Sequence, residues 1–387
     1  MPETRAARDV RRSHGRLAVC AQPARALALV FLLTLAAALV PVPIGQIDPI
    51  ELAHAAGSAP WTGRPAAGQS VRDATVTTAP APAGGAMPIP GFHGPFESSP
   101  TTVSGPVRAE PAHMPFYVAT QGATTIYLLG TLHVGDPADY PPDRPFRRRI
   151  LAALAASPTL ALELSPDDLV ESQDDVTKYG VCSDACLPRL LPPSLWRKLA
   201  SRLRENPTAL EEIKTTRPWL AALLVETYAS LSAGLKTEYG TEAQLQDVYL
   251  RKRGKVVGLE TLAEQMRAFT NLTLAQQREM LAQDLAQTPA QTVADVRELH
   301  RLWRAGNADA IAAWSTANSE RLAQSSAVSR SLDNKILYER NRRFTTRMLG
   351  IAAPNRPVFV AIGALHLGGP KGVLALLRQR GYVVEAN

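Results

Sequence analysis

Between residues 114 and 387, short apolar runs alternate with longer stretches of helical period. Phe116-Tyr-Val-Ala-Thr120 and Thr125-Ile-Tyr-Leu-Leu-Gly130, separated by Gln121-Gly-Ala-Thr124, predict a β-hairpin. Thr159-Leu-Ala-Leu-Glu163-Leu, Lys255-Val-Val-Gly-Leu-Glu260 and Val358-Phe-Val-Ala-Ile-Gly363-Ala-Leu-His366 predict three further strands. Runs apolar on both alternating faces suit parallel strands covered by helices on both sides. Tyr382-Val-Val-Glu predicts an edge strand. Helices are expected over Phe146–Ala156, through most of Ser194–Arg253, and from Leu262 to Gly350 with breaks near Thr288-Pro289 and Gly306-Asn307. A last helix is expected over Gly372–Arg380. Ser194 and Thr241 stand where N-caps are expected, and Arg217-Pro218-Trp219 places proline in a first turn. Residues 166–193 show no period. The resulting fold class is α/β: a central mixed, mostly parallel sheet flanked by helices, with a helical insertion between strands.

The N-terminal part follows a different pattern. An Arg-rich stretch to residue 25 precedes an apolar run from Ala26 to Val40, and Ala53-His54-Ala55 fits a small-residue cleavage site. Residues 1–55 therefore suit a secretory signal, and an N-terminal membrane tether through residues 26–40 is the alternative. Residues 56–113, dense in Pro, Ala and Gly, suit a disordered linker. The folded domain is expected over 114–387, in an exported protein of the periplasm or cell envelope.

Charge changes this picture little. Of the formal net charge of +7, residues 1–55 carry +2, leaving a mild +5 with Arg spread through helices. No basic tract interleaved with aromatics marks a nucleic-acid partner. Cys182 and Cys186, the only cysteines past the apolar run, are expected to form a disulfide, since a metal site needs more ligands than this loop supplies.

The candidate chemistry sits at the strand ends. The pattern of an apolar run followed by Gly-x-x-His occurs twice, as Gly130…His133 and Gly363…His366. Glu163 and Glu260 close two other strands. Ligands of such sheets bind beyond the carboxyl ends of the strands, so the four side chains could converge. Two imidazoles and a carboxylate suit Mn, Co, Zn or Fe, and a second carboxylate suits a general base. Asp136 and the pair Glu238 and Glu242 are weaker additions. Neither His-Glu-x-x-His nor Gly-x-Ser-x-Gly is present, which argues against a common zincin and a serine hydrolase.

These residues resemble the TraB/GumN family, which includes the TIKI proteases. The resemblance rests on Tyr127-Leu-Leu-Gly-Thr-Leu-His133, Leu162-Glu163-Leu, Arg217-Pro218-Trp219, Glu238-Tyr-Gly-Thr-Glu242, Gly254-Lys-Val-Val-Gly-Leu-Glu260-Thr with Gln265, Glu339-Arg340-Asn341 and Ile362-Gly-Ala-Leu-His366-Leu-Gly-Gly. It implies an α/β domain related to the erythromycin-esterase and ChaN-like group. It also implies metal-dependent peptidase chemistry, with a divalent transition metal on His133, Glu163 and His366. Arg340 is expected to face the site, with Glu260, Asn341, Gly130 and Gly363 in support. The expected function is an exported metal-dependent hydrolase acting on a peptide or small molecule. The alternative is a non-catalytic envelope protein that binds a peptide or haem-like ligand in the same place, with the helical insertion as a lid.

Overall fold

β2 (Thr124–Thr131) and β5 (Val358–Gly363), the two runs that lead into Gly-x-x-His, lie side by side and parallel. Their register pairs Gly130 with Ile362 and Thr131 with Gly363, so both motifs leave the sheet at the same end. In this computed structural model, residues 110–168, 176–250 and 254–387 are described. The signal or tether (1–55) and most of the linker (56–113) lie outside them.

β3 (Thr159–Leu162) flanks β5 on its other side, and β4 (Lys255–Gly258) flanks β3, both in parallel. β1 (Phe116–Gln121) forms the expected hairpin with β2, and β6 (Val383–Ala386) runs antiparallel to β1 at the sheet edge. The order β4-β3-β5-β2-β1-β6 makes a six-stranded mixed, mostly parallel sheet. The α/β expectation holds.

β5 is continuously apolar because both of its faces are covered. Phe359 and Ala361 pack with Leu160, Phe146, Ile150 and Trp303 on one side. Val358, Val360 and Ile362 pack with Phe344, Met348 and Leu374 on the other. The insertion between β3 and β4 builds a core of its own with the helices that follow β4. Helix Pro218–Ser232 buries Trp219 through Val225 against Leu199, Met266 and Leu281.

Several local expectations shift. The first helix is Arg148–Ala156, and Phe146 is a buried core residue ahead of it. The stretch 166–193 holds short helices at Val176–Gly180 and Leu187–Leu190. Ser194 is no cap: its helix, Pro193–Arg202, starts one residue earlier, behind Pro192. Thr241 is the first residue of helix Thr241–Leu250, and its hydroxyl is bonded elsewhere. The breaks at 288 and 306 occur as expected, with a capping box at Thr288 and Asn307 capping the next helix. A π-helical turn, Asn334–Tyr338, precedes helix Glu339–Ile351. β5 ends at Gly363, and Ala364–His366 is a 3-10 turn. The expected disulfide joins Cys182 and Cys186.

Phe359 is fully buried between β1 and helix residues, stacked at 6.0 Å on Phe116. Phe359→Ala should lower the unfolding free energy by about 3–5 kcal/mol, read by urea denaturation. A loss below about 1 kcal/mol would contradict this packing.

Candidate functional site

The residue after β3 and the residue two past β4 are both glutamates, and both turn inward. Helix Glu339–Ile351 crosses the same end of the sheet and supplies their counter-ion. Arg340 Nη2 lies 2.5 Å from Glu163 Oε2 and 2.5 Å from Glu260 Oε1, and its Nε donates to Glu260 Oε1 at 3.0 Å. Side-chain exposure is 7% for Arg340, 8% for Glu163 and 0% for Glu260. Such a cluster persists only because each charge is paired and hydrogen-bonded. Arg343 adds a second, outer cation 3.6 Å from Glu260.

Glu163 has a further partner. Its Oε1 accepts the Gly363 N–H at 2.7 Å. A side chain at 363 would place a Cβ 3.1 Å from that oxygen, which is why glycine precedes this histidine. At the other motif the space beside Gly130 is filled by the turn after β5: a Cβ there would lie 3.0 Å from Leu367 and 3.2 Å from Ala364.

The network fixes the tautomer of His366. Asn341 Nδ2 donates to the Lys371 carbonyl at 2.9 Å, so its Oδ1 is the atom that faces His366 Nδ1 at 2.5 Å. Nδ1 therefore carries the proton. The bare Nε2 accepts from Arg340 Nη1 at 3.2 Å and stands 3.7 Å from Glu163 Oε1. Phe344 meets the ring edge-on at 5.1 Å. Burial, then Arg340 and His133, outweigh Glu163 and lower the His366 pKa to about 3. Burial pushes Glu163 upward, but Arg340, His366, His133 and the Gly363 amide together lower it to about 2. Burial pushes Glu260 up, against the pull of Arg340.

His133 is the open member, with 45% of its side chain exposed and Nδ1 3.4 Å from Glu242 Oε1. The surrounding walls desolvate the ring, yet Glu242, and Glu163 through space, raise its pKa. Thr131 Oγ1 donates to the same Glu242 oxygen at 2.5 Å. Thr241 explains the placement: its amide donates to Leu132 O and its hydroxyl accepts from Leu132 N, clamping the helix start to the end of β2. Glu226, the sole charged residue of helix Pro218–Ser232, lies within electrostatic reach of His133. It keeps solvent access, but desolvation raises its pKa while His133 lowers it.

The structure thus brings Glu163, Glu260, Arg340, Asn341, Gly363 and His366 into direct contact, with His133 opposite, held by Glu242. Asp136 is not part of the site: it caps the turn Pro137–Asp139 and pairs with Arg304 at 3.2 Å. Glu238 sits exposed in the turn Thr237–Tyr239. Glu226 was missed in the sequence, although a lone acid in an otherwise uncharged helix is a readable signal.

A family model described as the TraB/PrgY/gumN family matches residues 115–386. The chain belongs to this family. No curated protein and no solved structure matches the chain. The TraB/PrgY/gumN match runs from β1 to β6 and so includes every residue of the site.

The expected metal set of His133, Glu163 and His366 does not close here. Glu163 Oε1 and His366 Nε2 face each other, but His133 is turned to Glu242, and Arg340 occupies the approach to both other ligands. Among the described residues no group of three His, Cys, Asp or Glu is disposed to hold an ion. As placed, these side chains do not fit a metal without withdrawal of Arg340.

Two predictions concern stability. Arg340→Met should cost about 3–5 kcal/mol by leaving two buried carboxylates unpaired, and Arg340→Lys should recover only part, since one ammonium cannot bridge both as a guanidinium does. Matched denaturation curves measure both. The second follows from linkage. His366 has its pKa lowered to about 3 from an ordinary 6.5, so its contribution is complete above pH 6.5 and is lost as pH falls toward 3. Glu163, lowered to about 2 from 4.5, adds a loss below pH 4.5. The urea midpoint should therefore fall steadily from pH 6.5 downward, less steeply in His366→Asn. A midpoint flat from pH 7 to 4 would contradict the assignment.

Proposed function

We propose that this site is that of an exported hydrolase acting on a peptide-like substrate. The observation that carries the reading is the convergence of buried Glu163, Arg340 and His366 opposite His133 at the carboxyl ends of the strands. Perturbed titratable groups gather in this way where chemistry is done. Hydrolysis of an amide needs a proton donor for the leaving group, a group that draws on water, and positive charge for the developing oxyanion.

His133 suits the donor. Glu242 keeps it protonated to a higher pH than a free histidine, through neutrality, and its ring reaches solvent. Arg340, whose Nη1 is directed at His366 Nε2, supplies positive charge to the site. Glu163 is ionised and oriented by the Gly363 amide, as a base or electrostatic anchor must be. Glu226 approaches from the helical insertion, which supports a covering role for that insertion over bound substrate. Mn, Co or Zn belongs to this proposal only if Arg340 yields its place to it. Export is supported by the disulfide, which persists in oxidising compartments, and by the basic and apolar pattern of residues 1–55.

One observation favours a second reading. Every polar atom of Glu163 and His366 already has a protein partner or neighbour, as in a closed structural network. That suits a non-catalytic envelope protein that binds its ligand beside His133.

Turnover of a fluorogenic peptide library by the full chain separates the two. The hydrolase reading expects cleavage that falls at least about 100-fold in His133→Ala and in Glu163→Gln, with both variants folded. Elemental analysis and a chelator arm on the same preparation report whether an ion participates. No cleavage by folded wild type, with or without added Mn, Co and Zn, would overturn the hydrolase reading in favour of ligand binding.

A further inference from the structure

Helix Arg148–Ala156 begins with a run of like charge. Arg147 flanks its start, Arg148 and Arg149 fill its first turn, and no acidic residue stands there. Positive charge at this end opposes the helix dipole, by about 0.3–1 kcal/mol for each charge. No side chain caps the end either. Local stability therefore does not account for these residues.

Arg144 and Arg147–Arg149 already stand together along the sequence. Folding brings Glu110, His113 and Asn387 beside them. Arg147, Arg148 and Arg149 join Arg144, Glu110 and His113 around one cavity of about 240 Å3. Two of the four guanidinium groups are engaged: Arg144 with Glu110 at 2.5 Å, and Arg149 with the Asn387 side-chain oxygen at 3.1 Å. Arg147 and Arg148 are exposed and have no hydrogen-bond or ion-pair partner among the described residues. Burial and Arg147 lower the pKa of His113, and the lining side chains comprise four arginines and one carboxylate, Glu110. The aromatic residue at the cavity, Phe116, is buried, so no base-stacking platform is offered. The register of Phe116 with Leu129 places the cavity at the same end of the sheet as His133.

We propose that this arginine-lined cavity is a second binding site, separate from the Glu163–His366 centre, for a compact polyanion of the phosphate class. A forked guanidinium matches the oxygen geometry of phosphate. One carboxylate would leave most of the charge unmatched, whereas a phosphate monoester or pyrophosphate neutralises Arg147 and Arg148 together. The phosphate is either free in solution or borne by a lipid headgroup. The site does not depend on what reaction His133 supports.

Calorimetric titration of the full chain with pyrophosphate and with inorganic phosphate at low salt tests the proposal. The comparison is an Arg147→Glu/Arg148→Glu variant, whose melting temperature should be equal or higher because the dipole clash is removed. Wild type should show saturable binding that weakens with salt and drops roughly 30-fold in the variant, for two lost charge-assisted contacts. A second arm compares both proteins on phosphatidate and phosphatidylcholine vesicles. A wild-type excess on phosphatidate alone assigns the phosphate to a lipid. Pyrophosphate binding without that excess assigns it to a soluble ligand. Absence of saturable binding to every probe, or equal affinity in a folded variant, would overturn the proposal. Binding that both proteins share belongs to the rest of the chain.

Discussion

A buried guanidinium organises one end of this molecule. Arg340 is held by two glutamates that close two parallel strands, and it contacts the histidine that follows a third. An unpaired carboxylate at this depth would cost several kcal/mol, so the position of helix Glu339–Ile351 across the sheet is a requirement of charge as much as of packing. The next residue, Asn341, uses the same turn of helix to hold His366 in one tautomer and to anchor the Lys371 carbonyl. One helical turn therefore fixes both the charge and the proton of the site. Phe344, one turn further on, provides the apolar floor under both.

This arrangement divides the site into two electrostatic halves. The inner half contains Glu163, Glu260, Arg340 and His366; burial and their neighbours hold Glu163 ionised and His366 neutral near neutral pH. The outer half contains His133, paired with Glu242 at 3.4 Å, and Glu226, which acts on His133 at longer range. A protein that exchanges protons with a substrate needs the second kind of group, supported by the first. The helical insertion contributes Glu226 and Glu242 to this outer half, so it shapes the site.

Membership of the TraB/PrgY/gumN family covers the sheet and the insertion together. Several of the chain's motif residues make contacts whose physical reasons are visible here. Gly363 leaves room for Glu163 to reach a backbone amide, and Gly130 leaves room for the turn that carries His366. Thr241 clamps the insertion to the strand that ends before His133. Arg304 takes Asp136 and Asp139 out of the site and into the support of the neighbouring turn.

By itself the sequence determined the strands, the helical stretches with the breaks near 288 and 306, and the four side chains at strand ends. Strands buried on both faces must be continuously apolar, and caps such as Thr288 and Asn307 act on amides two or three residues away, so both signals are local. Tertiary structure alone decided which of these side chains meet. Glu163 finds Arg340 across 177 residues, and Glu242 finds Thr131 across 111. It also turned Thr241 from an expected cap into a clamp, removed Asp136 from the site, and brought Glu110, His113 and Asn387 beside the arginines of 144–149 to form one cavity. Hydrophobic periodicity records which face of an element is buried, not which distant charge will be brought against it. That choice is made by the order of strands and by the need to pair every charge that folding takes out of water.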